Sequence, residues 1–338
     1  MSPKIAYLGP KDTVFQDLAP DNLDVKWIDN SLPIEQQAKD LEGIEAVIVV
    51  PSVFPVELAR LTPSVRLVQT TSAGTNMIDK ISLGELGIRV ANNGGGNAIA
   101  VAEHTISLLV STYRKFQLQF NSVKAGKWSG SIRSDWFSQA HEIAGKTIGI
   151  VGLGRIGSRV AKRLQGWECD IVYTDIIEPD ADLEEQLDLK RLELDDLLQQ
   201  SDVVTVHVPL NNRTRHMISD REFDLMKPTA VLINACRGPV VDELALIRAI
   251  QNDKIAAAGL DVTEVEPTPP DNPLLEFDNV LITPHLAAFA QESTARSRAF
   301  AVYNTGRVAA GEDPESIVPP DDSGEEPWEV TLPYDGIL

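Results

Sequence analysis

Residues 145–157 read GKTIGIVGLGRIG, and this stretch decides the fold class of the chain. Residues 147–151 form an apolar run that predicts a buried strand. Three glycines follow at the spacing GxGxxG: Gly152, Gly154 and Gly157. They permit a tight turn, a close approach of the backbone to a phosphate, and tight packing of the next helix. That helix, predicted over 155–164, would direct its N-terminus at the phosphate, with Arg155 and Ile156 in the same loop.

An acidic residue strengthens the glycine motif, which alone also arises by chance in loops. The next predicted strand, 170–174, is followed by Asp175, roughly 20 residues beyond the last glycine as in dinucleotide-binding folds. A carboxylate there can accept hydrogen bonds from the ribose hydroxyls of NAD and would repel the extra phosphate of NADP. Ile176 and Ile177 come next and offer that phosphate no positive charge. The stretch therefore predicts an NAD site.

Short apolar runs alternate with helical patterns along most of the chain. Before the glycine motif, the predicted strands are 5–8, 46–50 and 66–70, and the predicted helices are 33–41 and 55–61. From the motif onward, the predicted strands are 147–151, 170–174, 203–208, 230–234, 256–261 and 280–283. Such alternation is typical of parallel sheets with crossover helices. The predicted fold class is α/β, with two Rossmann-like or flavodoxin-like parallel-sheet domains.

Other segments are predicted from periodicity and composition. One long helix is predicted over 97–120, and an irregular surface segment over 125–141. Ser219 and Glu222 have the spacing of a capping box. A last helix is predicted over 288–310, with four apolar anchors: Phe289, Phe300, Val302 and Val308. From Asp313 the chain is acidic and rich in proline, which predicts a poorly packed tail, although Trp328, Leu332 and Tyr334 could dock on a surface.

The overall charge and the cysteine content exclude several classes of protein. The formal net charge of -20 argues against a nucleic-acid partner and against docking on anionic membranes. Two cysteines, Cys169 and Cys236, have no spacing typical of a metal site or a disulfide framework. No apolar run approaches the roughly 20 residues of a membrane helix. We therefore expect a cytoplasmic protein without a metal ion.

Three ionisable residues each follow a predicted strand. Arg237 lies in NACRG, Glu266 in DVTEVEP and His285 in TPHLA. Open α/β sheets place their sites at the carboxyl ends of parallel strands. Reduction of a keto acid needs a group that holds the carboxylate and a group that donates a proton, which are tasks for a guanidinium and an imidazole. A carboxylate beside the imidazole would orient it and favour its charged form.

Each of these residues, taken singly, has another interpretation. Arg237 could form a structural ion pair, Glu266 could be a solvated loop residue, and His285 could be a core or cap histidine. Their joint occurrence at three strand ends behind a dinucleotide motif favours the functional interpretation. The remaining histidines are interpreted as structural: His104, His141, His207 and His216.

Several phrases, in order, make the chain resemble the D-isomer-specific 2-hydroxyacid dehydrogenases. They are SAG at 72–74, VAEHT at 101–105, GKTIGIVGLGRIG, the strand end at Asp175, HVPL at 207–210, NACRG, LDVTEVEP and TPHLA. The resemblance extends from about residue 5 to residue 310. It implies an NAD-dependent enzyme that transfers a hydride between the nicotinamide and a small 2-keto or D-2-hydroxy acid.

The resemblance also implies roles for individual residues. Arg237 would bind the substrate carboxylate, His285 would be the acid in reduction and the base in oxidation, and Glu266 would be its partner. Ser72 with the amides of Ala73 and Gly74 would also hold the carboxylate. Asp261 would contact the nicotinamide carboxamide. Further residues, besides His285 itself, would line the dinucleotide: Thr105, Val208, Pro209, Thr214, Ala235 and Cys236.

The family architecture implies three parts in this chain. Residues 1–98, completed by 290–312, would form the substrate-binding domain, and 99–289 the NAD-binding domain, with 313–338 as a tail outside the family pattern. The active site would lie in the cleft between the domains, and two copies would form a dimer through the NAD-binding domain.

Some features depart from branches of the family and leave alternatives open. Formate dehydrogenases carry Gln where this chain has Glu266, which argues against formate. The segment Val50–Ser52 lacks the arginine of phosphoglycerate dehydrogenases, and no regulatory domain follows the last helix, which argues against 3-phosphoglycerate. Cys236 is interpreted as a small pocket residue and not as a nucleophile. A phosphite dehydrogenase and an NAD(H)-sensing corepressor remain as alternative functions.

Overall fold

The computed structural model describes residues 4–129, 139–179 and 181–319. The chain forms two compact units. The first comprises the residues up to Asn97 together with those from Phe289 onward, and the second is Ala98–Ala288. Each unit is built on its own sheet, as the alternating sequence pattern predicts.

The first unit contains a six-stranded sheet in the order β13-β5-β4-β3-β1-β2. The strands are β1 (Ile5–Gly9), β2 (Val25–Asp29), β3 (Ala46–Val49), β4 (Leu67–Thr70), β5 (Arg89–Ala91) and β13 (Ile317–Val318). The helices are α1 (Val14–Asp17), α2 (Ile34–Asp40), α3 (Val56–Leu61), α4 (Lys80–Glu85) and α12 (Gln291–Ala309). Leu41 and Leu58 pack on one face of the sheet, and Ala301 and Val302 of α12 pack on the other. Coverage on both faces explains why β3 is apolar at every position.

Three strands of this unit escaped prediction. In the edge strand β2, Val25 and Ile28 are buried and are separated by the more accessible Lys26 and Trp27, so the strand lacks a continuous apolar run. β5 is only three residues long. β13 lies in the segment whose composition predicts an unpacked tail, yet it pairs antiparallel with β5, with Ile317 opposite Ala91. The packed part of the chain thus continues past Asp313, whereas Trp328, Leu332 and Tyr334 lie outside the described residues.

The second unit contains a seven-stranded parallel sheet in the order β12-β11-β10-β9-β6-β7-β8. The strands are β6 (Thr147–Val151), β7 (Asp170–Thr174), β8 (Leu189–Arg191), β9 (Val203–Val206), β10 (Val231–Asn234), β11 (Ala257–Leu260) and β12 (Val280–Ile282). The helices are α5 (Ala98–Tyr113), α6 (Phe116–Lys124), α7 (Gly157–Leu164), α8 (Ala181–Gln186), α9 (Leu194–Gln200), α10 (Asp220–Leu225) and α11 (Glu243–Gln251). The order reverses between β6 and β9, which is the topological switch point where α/β sheets bind ligands.

Two details of the helices differ from the prediction. The single helix predicted over 97–120 is two helices, because Lys115 adopts a left-handed conformation with φ of 53° between α5 and α6. No glycine or proline announces this break. Phe289, predicted as an anchor of the last helix, is 77% exposed and precedes α12, whereas Phe300, Val302 and Val308 are buried as predicted.

Two other sequence features have visible counterparts. The backbone N–H of Ser219 donates to Glu222 Oε2 at 3.0 Å, as expected for the capping box at the start of α10. The irregular segment predicted over 125–141 lies partly outside the described residues. Among the helices that the structure describes, none has the length and apolar character needed to cross a membrane.

Candidate active site

The turn from β6 into α7 leaves no room for side chains. Gly152 has φ of 90°, and a Cβ added to it would lie 2.8 Å from the carbonyl oxygen of His207. A glycine is therefore required both by the backbone conformation and by the close approach of the β9 end. Gly157 begins α7 directly after this turn. The bare backbone forms a cradle of the kind that a pyrophosphate fills.

Asp175 joins this cradle at the end of β7. Its Oδ2 accepts the backbone N–H of Leu153 at 2.7 Å, and its Oδ1 accepts that of Ile177 at 2.9 Å. The carboxylate is thereby fixed against the glycine loop while remaining partly accessible. This arrangement fits a ribose whose hydroxyls would be offered to the carboxylate, so the residues present suit NAD.

The predicted dinucleotide-lining residues follow β9 and β10 or lie on α5. Thr214 Oγ1 donates to the carbonyl of Pro209 at 2.6 Å, which closes the loop after β9 and Val208. Thr105, on α5, is buried and donates to the carbonyl of Val101 at 2.8 Å. Ala235 and Cys236 are buried directly after β10. Burial raises the pKa of the Cys236 thiol to about 11, so the thiol stays protonated at neutral pH and is a poor nucleophile.

His207 lies between Gly152 and this loop. Its Nε2 is 2.9 Å from Thr205 Oγ1, and its Nδ1 is buried without a hydrogen-bond partner among the described residues. Burial lowers the pKa of His207 to about 3, so its ring is neutral at physiological pH. An unsatisfied buried nitrogen at the glycine cradle is the kind of atom that a bound ligand or a water satisfies.

Arg237 follows β10 and is held close to the segment that leads to Glu266. Its Nη1 donates to the carbonyl of Cys236 at 2.6 Å. A Cβ on the neighbouring Gly238 would lie only 1.8 Å from the carbonyl oxygen of Thr263. The backbone after β10 therefore packs directly against the backbone after β11, which brings the arginine-bearing and glutamate-bearing loops together.

Glu266 and His285 form a hydrogen-bonded pair. Glu266 Oε2 lies 2.7 Å from His285 Nδ1, and the side chains are 37% and 45% exposed, respectively. Because Nδ1 is engaged by the carboxylate, Nε2 is the ring nitrogen left to exchange a proton with a ligand. His285 has φ of 54°, a left-handed conformation that a histidine adopts only at a cost of about 1–2 kcal/mol.

Asp261 follows β11 and holds the backbone around His285. Its Oδ1 accepts the N–H of Leu286 at 3.0 Å and its Oδ2 accepts that of Ala287 at 2.8 Å. Burial alone would raise the pKa of Asp261, but the nearby imidazole of His104 and hydrogen bonds from Thr283, Ala287 and Leu286 lower it below its ordinary value. The carboxylate is therefore ionised and occupied by donors, which gives it a structural task beside the cofactor contact predicted for it.

His104, which the sequence analysis interprets as structural, contacts two residues near His285. Its Nε2 lies 3.0 Å from Thr283 Oγ1 and 3.4 Å from Asp261 Oδ1. A signal was present, because His104 stands in VAEHT next to Thr105 and Thr283 stands in TPHLA next to His285. Only the fold shows that these two phrases meet.

In the first unit, Ser72, Ala73 and Gly74 form a partly accessible turn after β4. Ser72 Oγ donates to the carbonyl of Gly74 at 2.8 Å and lies 2.8 Å from Ser52 Oγ. Within the described residues, no protein acceptor satisfies the amide N–H groups of Ala73 and Gly74. Two accessible amides on a turn of this kind can receive an anion.

The chain was compared with known proteins. Residues 106–287 match the family described as "D-isomer specific 2-hydroxyacid dehydrogenase, NAD binding domain". A glyoxylate reductase from Thermofilum pendens is 40% identical over 78% of this chain and 77% of its own length. A glyoxylate/hydroxypyruvate reductase B from Yersinia pestis is 36% identical over 90% of both chains. The apo D-mandelate dehydrogenase of Rhodotorula graminis is similar in structure, with a TM-score of 0.83, 27% identity, and coverage of 94% of this chain and 97% of that one.

Proposed function

Because the chain belongs to the D-isomer-specific 2-hydroxyacid dehydrogenase family, we propose that its substrate is a 2-keto acid of the size of glyoxylate or hydroxypyruvate. The chain is an NAD-dependent oxidoreductase that interconverts a 2-keto acid and its 2-hydroxy acid. The proposal adds the substrate size, which is the part taken from the names of the relatives. It also adds the roles of individual residues.

One observation carries the assignment of roles, namely the 2.7 Å pair of His285 and Glu266, with Glu266 on the loop that adjoins the loop of Arg237. The guanidinium of Arg237 binds the substrate carboxylate in bidentate fashion. Glu266 holds Nδ1 of His285, so that Nε2 carries the proton that goes to the carbonyl oxygen in reduction and receives it back in oxidation. Bound NADH would supply the hydride.

The accessible amides of Ala73 and Gly74 are proposed as a second binding element for the carboxylate, with Ser72 shaping their turn. Their role is electrostatic. The chain has a formal net charge of -20, so an anionic substrate approaches a repulsive surface, and amides and a guanidinium must supply local positive potential. The glycine loop, Asp175 and the residues after β9 and β10 are proposed to hold the dinucleotide.

The substrate proposal is tested with a panel of glyoxylate, hydroxypyruvate, pyruvate, 3-phosphohydroxypyruvate and phosphite, followed through the absorbance of NADH. We expect glyoxylate and hydroxypyruvate to give the highest kcat/KM. Preference for the phosphorylated acid or for phosphite would contradict the proposal. An unchanged NADH signal with every compound, together with intact NADH binding, would favour a binding protein over an enzyme.

The role of Arg237 is tested by Arg237→Ala and Arg237→Lys. Loss of a bidentate contact to the substrate carboxylate should lower kcat/KM about 10²- to 10³-fold. The Kd of NADH, measured by fluorescence, should hardly change. Lysine should recover little, because a point charge does not reproduce the planar fork. Full activity in the lysine variant would contradict the bidentate role.

The role of Asp175 is tested by cofactor preference. A like-charge clash with the 2′-phosphate should make kcat/KM with NADH at least about 100-fold higher than with NADPH. Asp175→Ala combined with Ile176→Arg removes the repulsion and adds a cation, so the two values should approach each other. Equal use of both cofactors by the unchanged protein would contradict this role.

A homodimer formed through the second unit is also proposed. Apolar side chains on and after α6 lie at the surface, with Phe120 66%, Val123 56% and Trp128 74% exposed. Exposed aromatic clusters of this kind are typical of protein interfaces. Light scattering should give the mass of two chains, and Phe120→Glu should shift the protein to the monomer. A monomer at micromolar concentration would contradict the proposal. A cytoplasmic location remains a prediction.

A further inference from the structure

Three side chains of the second unit form a hydrogen-bonded chain that ends at the His285 loop. His104 lies on α5, Thr283 directly follows β12, and Asp261 directly follows β11. Thr283 Oγ1 is 3.0 Å from His104 Nε2 and 2.6 Å from Asp261 Oδ1. The threonine hydroxyl therefore stands between the imidazole and the carboxylate.

The direction of these hydrogen bonds follows from counting protons. The Asp261 carboxylate is ionised and can only accept, so the single hydroxyl proton of Thr283 goes to it in the 2.6 Å contact. The Thr283 oxygen must then accept from His104, which places a proton on Nε2 of that ring. His104 is thus the first donor of the chain, whether its ring is neutral or charged.

His104 has a special relation to Asp261. The Asp261 side chain is completely buried, and His104 is the one histidine, lysine or arginine within 4.0 Å of it among the described residues. A buried carboxylate needs several donors to remain ionised. Asp261 obtains them from Thr283 and from the backbone of Leu286 and Ala287, and His104, 3.4 Å away, adds a side chain that can carry positive charge.

Asp261 in turn fixes His285. Besides the two carboxylate contacts, the carbonyl oxygen of Asp261 accepts the N–H of His285 at 2.8 Å. Three successive backbone amides, from His285 to Ala287, therefore donate to this one residue. These bonds hold His285 in its left-handed conformation, which a loop without such restraints would leave.

We infer that His104 is a positioning residue, which acts through Thr283 and Asp261 to hold the loop that presents His285 to Glu266 and to the substrate. The inference rests on the acid–base role proposed for His285. His104 itself exchanges no proton with the substrate. Its effect is geometric, and displacement of a reacting group by about 1 Å can cost up to 100-fold in rate.

The experiment uses four variants of the full chain: His104→Gln, His104→Leu, Thr283→Val and the double variant His104→Leu/Thr283→Val. Glutamine can place an N–H donor near the position of Nε2, whereas leucine fills the space without a donor. We expect His104→Leu and Thr283→Val each to lower kcat by about tenfold, with the Kd of NADH unchanged, and His104→Gln to stay within about threefold of the native rate. The loss of kcat in the double variant should be no greater than the larger of the two single losses, because both changes interrupt one chain.

A second readout does not depend on turnover. The ring signals of His285 in imidazole NMR spectra, identified by their loss in His285→Gln, should move in His104→Leu and Thr283→Val but not in His104→Gln. The NMR measurement does not depend on turnover, so it tests the positioning role of His104 even if every keto acid is a poor substrate. A failure of the inference can therefore be distinguished from a failure of the proposed function. The inference would be overturned if the losses of kcat multiplied in the double variant, or if His104→Gln and His104→Leu lost kcat equally. It would also be overturned if the His285 signals did not move, or if the variants weakened only the binding of NADH.

Discussion

The second unit contains two histidine–glutamate pairs that are almost alike. His285 lies 2.7 Å from Glu266, and His216 lies 2.8 Å from Glu264. Both histidines have φ of 54°, and both pairs are partly exposed. The two glutamates are two positions apart in the segment after β11. Distance, backbone conformation and exposure therefore do not distinguish the pair proposed for acid–base chemistry.

The surroundings of the pairs do distinguish them. Glu264 Oε2 also accepts the N–H of Glu243 at 3.3 Å, and Glu243 Oε2 accepts the N–H of Glu264 at 2.8 Å, which ties the loop to the start of α11. The His216 backbone donates to the carbonyl of Pro239. His216 and Glu264 thus join neighbouring loops, whereas His285 follows a strand end and is held by the buried Asp261. The two pairs therefore differ in the residues that hold them and not in their own geometry.

The largest expected effect separates the two histidines. His285→Gln removes the proposed proton donor and should lower kcat for keto-acid reduction by about 10²- to 10⁴-fold, the usual contribution of general acid–base catalysis. His216→Gln, the matched control, should stay within about twofold, because a loop contact of this kind is worth about 1 kcal/mol of stability at most and takes no part in the chemistry. If His285→Gln and His216→Gln lowered steady-state kcat to a similar extent, the distinction between the two pairs would be wrong.

A smaller effect should separate the two glutamates. Glu266→Gln keeps the shape of the side chain but replaces the carboxylate that lies 2.7 Å from His285 Nδ1 with a neutral amide. The hydrogen bond to a charged partner is lost, so the ring of His285 is held less firmly in the orientation that its proposed role needs. We expect kcat for keto-acid reduction to fall about tenfold, with the Kd of NADH unchanged.

The control for this prediction is Glu264→Gln. Its kcat should stay within about twofold of that of the unchanged protein, while its melting temperature falls slightly because the contact to His216 is weakened. Equal kcat values in the two glutamine variants would mean that Glu266 does not hold His285 for the reaction.

The smallest effect on turnover is expected from truncation of the C-terminal segment, which contains neither histidine–glutamate pair. Deletion after Pro319 removes only residues outside the described part and should leave kcat within about twofold. Deletion after Pro314 also removes β13 and the bonds of Glu315 and Ser316 to Asn304 and Asn92, which should lower stability by about 2–4 kcal/mol. Equal melting temperatures of the two truncated proteins would show that β13 contributes nothing.

Much of the fold could be predicted because parallel strands leave a strong local signal. β3, β9 and β10 are buried at every position, so all but one residue of β9 and one of β10 are apolar. The edge strands β2 and β8 were missed because they carry lysine and arginine toward solvent. β13 was missed because its two residues lie in an acidic, proline-rich stretch, and its stability comes from tertiary pairing with β5 that no local pattern encodes.

The site was predictable to the extent that its residues follow strands. Arg237, Glu266 and His285 are predicted as site residues on this ground, and the fold brings the last two into contact. His104 follows no strand. It lies on α5, nearly 180 residues before Thr283 in sequence, and reaches it only because α5 packs on the sheet beside β11 and β12. A contact between a helix and a distant strand end depends on the packing of whole elements, which no local sequence pattern indicates.

The missing side chain of Gly238 limits how the site can be altered. Since a methyl group there would lie 1.8 Å from the Thr263 carbonyl oxygen, the loops that carry Arg237 and Glu266 meet at Gly238 through backbone atoms. Attempts to enlarge the substrate range by reshaping one loop will therefore displace the other. Libraries that vary both loops together, with Gly238 kept, should yield more active variants than libraries that vary either loop alone.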